Sequence, residues 1–155
     1  AAQTRSHPAS AAATAPRRTP RISISTAPSK LNTSIRVDLQ KSILQEAANV
    51  LQRTIDNGGL REENSLVYND GSTQKGETGA DPQIVDNTSV ASTEFPTLEE
   101  GKSDKEVSAS IHSHITKVQI KNGMYYPHSA ELPSDVDRET FKRFNLNIIV
   151  DDVCV

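Results

Sequence analysis

The chain has 155 residues, about one domain length, and its 34% hydrophobic and 4% aromatic content are low enough that part of it is expected to lie outside any packed core. The formal charge of −3 is unevenly spread, with six of the 17 basic residues and no acid before Asp38, and the acidic remainder argues against a nucleic-acid partner. A lone cysteine, Cys154, excludes an internal disulfide and a Cys-rich zinc knuckle, and no apolar run approaches the ~20 residues that span a bilayer, so a soluble chain is expected.

Residues 1–36 are rich in Ala, Ser, Thr, Pro and Arg and read as a disordered tail or linker. Their acid-free composition also fits an organelle transit peptide, and the absence of a starting methionine favours a piece of a longer protein. A folded domain is expected over 37–155. From Asp38 to Asp56, Leu39, Ile43, Ala47, Val50, Leu51 and Ile55 recur at spacings of three and four, one stripe of an amphipathic helix that Asn57-Gly58-Gly59 stops. Glu62 to Tyr68 then reads as a strand, and Asn69-Asp70-Gly71 as the turn of a hairpin.

The polar stretch 72–105 is expected to form long loops, with only Gln83 to Asn87 strand-like. Between Glu106 and Ile115, Val107, Ala109 and Ile111 alternate with Ser108, Ser110, His112 and His114, which directs both histidines to one face. Residues 116–132 form a connection with a turn at Asn122-Gly123. Ser134 opens a helix predicted through Phe144, and Leu146, Ile148, Ile149 and Val150 mark a buried strand. The expected fold class is α/β, a mixed sheet flanked by helices.

Chemistry concentrates in His112-Ser113-His114 and in Ser134 with Asp137. A catalytic zinc takes three protein nitrogen or oxygen ligands and keeps one open position, which His-x-His and one Asp can supply. Each part has an ordinary explanation. Strand histidines are often mere surface, and a Ser followed three residues later by an acid is what a helix start needs for capping. The joint occurrence favours a metal site. A hydrolase also needs a proton acceptor, for which Glu62 and Glu63 at the first strand are the candidates.

Glu62, then His112-Ser113-His114, then Ser134-Asp135-Val136-Asp137, resembles the signature of the JAMM (MPN+) zinc metalloproteases, and more closely that of the JAB-like toxin domains of bacterial polymorphic toxins. The resemblance covers roughly Val37 to Val150. It implies an MPN-like fold, close in layout to the cytidine deaminases, truncated at the C-terminus. It also implies a zinc-dependent peptidase or isopeptidase that hydrolyses an amide bond with metal-activated water. His112, His114 and Asp137 would bind Zn2+, Ser134 would stabilise the oxyanion, and Glu62 would be the base, with Glu63 the alternative one residue along. The implied partners are a protein or peptide substrate, such as a ubiquitin-like protein, and a cognate immunity protein. The implied setting is secretion or delivery within a larger bacterial protein.

The chain departs from the family pattern where 19 residues separate His114 from Ser134; that spacer suggests a flap, and its His128 is an extra candidate ligand. The stretch 72–105 has no clear counterpart in the family. A deaminase is disfavoured because the chain lacks Pro-Cys-x-x-Cys, and a serine hydrolase because it lacks Gly-x-Ser-x-Gly. The other reading is a non-catalytic MPN-like protein-binding module, in which Ser134 only caps its helix.

Overall fold

The computed structural model describes residues 19–26, 39–128 and 133–153. In chain order the elements are β1 (Thr19–Thr26), α1 (Lys41–Asp56), β2 (Asn64–Tyr68), β3 (Thr73–Lys75), β4 (Gln83–Val85), β5 (Thr88–Val90), β6 (Val107–His114), β7 (Lys117–Lys121), β8 (Met124–His128), α2 (Asp135–Thr140) and β9 (Leu146–Val153). Five strands form a sheet in the order β1-β9-β6-β2-β3, and a second sheet runs β4-β5-β7-β8. β6 and β9 are parallel and all other pairs are antiparallel, so the chain is an α/β protein with a mixed sheet.

α1 carries its apolar residues on one side. Ile43, Ala47 and Val50 meet Val67, Ala109, Ile111, Ile148 and Val150 from the central strands in one core, with Leu39, Leu51 and Leu146 at its margin. Fully burying one such aliphatic side chain stabilises the fold by about 1.5–3 kcal/mol. Ile55, placed on the stripe by its spacing, is 37% exposed instead. The helix begins at Lys41 with Gln40 as cap, while Asp38 lies outside the described residues. It stops where Gly58 and Gly59 take φ values of +89° and +71°, a conformation open to glycine without strain.

Alternation decides what faces the helix. Val67, Ala109, Ile111, Ile148 and Val150 point toward α1, so their neighbours Leu66, Ser110, His112, Ile149 and Asp151 fall on the opposite face. That second face is not open to water. Leu66, Tyr68, Val107 and Phe144 are buried together there, with Phe95 and Leu98 packed against them.

Several expectations are corrected. The 1–36 tail was expected to be disordered throughout, but Thr19–Thr26 pairs with β9 along its length, Ile22 opposite Val150 and Ile24 opposite Ile148. The alternation Arg21-Ile22-Ser23-Ile24-Ser25 is a strand pattern set among prolines and hydroxyl residues. The polar stretch 72–105 supplies β3 and β5 besides the expected strand at β4, and after His114 the described part of the spacer is the β7–β8 hairpin, with its turn at the expected Asn122-Gly123 and paired to β5. α2 spans six residues and does not continue as a helix to Phe144. The chain turns there because Asn147 Nδ2 donates to the carbonyls of Phe141 (3.2 Å) and Phe144 (2.9 Å).

Candidate metal centre

The register of β2 on β6 sets Asn64 opposite His112, and the parallel β9 sets Ile149 beside His112 and Asp151 beside His114. Both histidines therefore sit near the carboxyl ends of two parallel strands, where open α/β sheets place their ligand crevices. His112 is packed by Phe95 and Phe141, with ring centroids 5.9 and 6.0 Å away.

α2 brings the third group. Ser134 Oγ accepts from the Asp137 N–H at 3.1 Å, and Asp137 Oδ2 accepts from the Ser134 N–H at 2.7 Å, a reciprocal capping box. The same carboxylate reaches the sheet, with Oδ1 3.1 Å from His112 Nε2 and Oδ2 3.2 Å from His114 Nε2. The two Nε2 atoms are 3.1 Å apart. Capping and ligation are thus compatible roles for one side chain.

The donor set could hold a metal ion. Tetrahedral bonds of 2.0–2.1 Å hold ligand atoms about 3.3 Å apart, close to the 3.1 Å between the two Nε2 atoms and the 3.1–3.2 Å from each Nε2 to its own oxygen of Asp137. His112, His114 and Asp137 each offer a ligand atom, all within 4.8 Å of one another. His112 is buried, which pushes its pKa below the ordinary value even against the pull of Asp137, and a neutral imidazole is the form that ligates. Burial alone would raise Asp137, but hydrogen bonds from His112, His114 and Ser134 outweigh it and hold the carboxyl far below the usual range. Among the described residues His112 Nδ1 is buried with no hydrogen-bond partner, a departure from the anchored outer nitrogen usual in zinc sites.

The two adjacent glutamates diverge. Glu62 lies on the histidine side and its pKa is pushed up to about 7, first by burial, with His114 lowering it and Asp137 raising it. Glu63 is buried on the helix side. Its Oε1 accepts from Asn57 Nδ2 (3.0 Å) and Thr78 Oγ1 (2.9 Å), and its Oε2 is 3.6 Å from Arg53 Nε. His128 closes β8, but its side chain lies outside the described residues.

Sequence reasoning missed the partners that hold this face together. Asn64 Nδ2 donates to the Glu77 carbonyl at 3.1 Å and to Thr93 Oγ1 at 2.6 Å, tying two loop segments beside the site. These segments line a cleft of about 500 Å³ that includes Gly76, Gly79, Phe95 and Pro96. A side chain at Gly76 would collide with the Asn64 amide. Gly76→Ala is therefore expected to lower stability by about 1–3 kcal/mol, read as a reduced urea midpoint at unchanged slope. The only sequence signal for this contact is the glycine itself.

No protein-family model matches the chain, and no curated protein or solved structure matches it either. Among the described residues no helix is long and apolar enough to cross a membrane.

Proposed function

We propose that this chain is a zinc-dependent peptidase or isopeptidase with a JAMM-like centre on an MPN-like fold, acting as the toxin domain of a larger bacterial protein. The observation that carries the reading is the close triangle of His112 Nε2, His114 Nε2 and the Asp137 carboxylate, with Glu62 on the same side of the sheet. The toxin setting, a ubiquitin-like or other protein substrate and an immunity partner rest on the sequence resemblance alone.

His112, His114 and Asp137 would hold the ion. A bound zinc would supply Lewis acidity, lowering the pKa of a water toward ~7 and polarising a carbonyl. Glu62, with an affinity for protons near neutrality, takes the proton from the attacking water and passes it to the departing amine. Ser134 is exposed, and its oxygen already accepts from Asp137, so the hydroxyl hydrogen can point outward to the carbonyl oxygen as charge develops there. One such donor is worth about 2.7–4 kcal/mol of transition-state stabilisation.

One observation favours the alternative, a non-catalytic MPN-like protein-binding module. The second sheet leaves Ile84, Val85, Val90, Met124, Tyr125 and Tyr126 exposed, an unusual density of apolar groups for a chain so poor in aromatics. Metal content separates the readings. Elemental analysis of the purified full chain should give about one zinc per molecule, lost in both His112→Ala and Asp137→Ala. A zinc-free wild type, or zinc retained by both variants, would reject the enzyme.

A further inference from the structure

The acids at 62 and 63 are chemically equal and adjacent on a strand, so a slip of one residue would exchange which of them faces the histidines. Something must hold the register at the mouth of the site, where the ladder between β2 and β6 ends. The Ser113 N–H donates to the Glu63 carbonyl at 2.8 Å, as an antiparallel pair requires. The return bond is made differently. The Glu63 N–H donates at 2.8 Å to the side-chain oxygen of Ser113 instead of to a main-chain carbonyl. The Ser113 hydroxyl is in turn hydrogen-bonded to Thr54 Oγ1 at 2.7 Å, and Thr54 reaches the Val50 carbonyl at 3.0 Å. Ser113 and Thr54 are both buried, at 0% and 2% exposure, so no water can take over these bonds.

The hydroxyl chain links the strand that carries the histidines, the residue beside the base and helix α1. Below it, the Glu63 carboxylate is engaged by Asn57, Thr78 and Arg53 on the helix side. Each bond that fixes Glu63 downward turns Glu62 upward, because successive side chains on extended chain alternate.

We infer that Ser113, the residue between the two histidines, is a positioning residue that sets Glu62 rather than Glu63 against the metal centre, through a side-chain hydrogen bond standing in for a missing ladder bond. The inference rests on the proposed metal-dependent reading, and its test separates the two. The probe is Co2+ loaded into the full chain, whose visible bands respond to coordination and to charge beside the open position. Ser113→Ala is expected to bind one Co2+ per chain, as wild type does, but to give the band pattern of Glu62→Gln. Ser113→Thr, which keeps the hydroxyl, should restore the wild-type pattern. Val50→Ala, a core truncation in the same helix, should destabilise the chain without moving the bands. If Ser113→Ala does not fold, Thr54→Val provides the measurement and should move the bands toward Glu62→Gln by a smaller amount. Wild-type bands in the hydroxyl-deleted variants, with altered bands in Glu62→Gln, would overturn the positioning role alone. Failure of the wild type to bind Co2+ would overturn the metal reading and this inference with it.

Discussion

Under the proposed metallopeptidase function, Glu62→Gln is expected to keep the wild-type zinc content while lowering amide hydrolysis by about 10²- to 10⁴-fold, the usual contribution of a positioned general base. The substitution preserves shape and removes only the ability to accept a proton. A metal-free measurement tests the same residue without a substrate. The folded-state pKa of Glu62 is raised from 4.5 to about 7, so the folded chain holds this proton more tightly than the unfolded chain does. Stability from this group is therefore fully present below about pH 4.5 and is lost as pH rises toward 7. The loss amounts to roughly 3 kcal/mol at 1.36 kcal/mol per pKa unit. Urea titrations with chelator present should show this fall in wild type and not in Glu62→Gln. His112 acts in the opposite sense through about pH 6.5, since its buried neutral form is favoured as pH rises, but it is common to both proteins. A difference curve that stays flat between pH 4.5 and 7 would count against a desolvated Glu62.

The second large effect lies on the other face of the sheet. Arg53 Nη1 donates to Glu46 Oε1 at 3.2 Å, and Nη2 donates to Ser65 Oγ at 2.7 Å and to the Asn64 carbonyl at 3.2 Å. Glu46, 5% exposed, and Glu63, 3% exposed, both depend on this one guanidinium as their nearby cation among the described residues. Arg53→Ala leaves two buried carboxylates without it, and breaking a buried pair in this way costs about 3–5 kcal/mol. The lower end is expected here, because the Arg53 side chain keeps 22% of its surface exposed. Denaturation midpoints measure the loss. The double variant Arg53→Ala/Glu46→Ala should be less destabilised than the two single effects added together, since the first substitution already strands the second residue.

Legibility in the sequence followed the strength of the local pattern. α1 and β6 carry clear periods, β2 and β9 are short apolar runs, and His112, His114, Ser134 and Asp137 stand out because their spacing is uncommon. Which glutamate faces the histidines was not legible from the strand alone. It depends on the pairing of β2 with β6 and on Asn57, Thr78 and Arg53, residues distributed over a helix end and a loop. β4 falls within the strand-like Gln83 to Asn87, but β5 has no signal of its own, because three residues are too few for a period and it is defined by its partner strands rather than by its composition. Ser113 looked like a spacer between ligands, and nothing in one sequence distinguishes a serine that replaces a ladder bond from one that merely fills a strand.

α2 has six residues, none of them buried, far short of the roughly 12–15 that an isolated helix needs to persist in water. Its order is borrowed from the capping box, from the Asn147 contacts just beyond it, and from Asp137 resting on two histidines. Among the described residues Asp137 is also the one candidate ligand from outside β6, so an ion at this centre would tie two parts of the chain 23 residues apart. Amide exchange would then be fastest in this turn when the ion is absent, and ion binding would slow it there more than in the central strands. A short helix with no buried residue completes the centre, so an ion there would act as local glue as well as reagent.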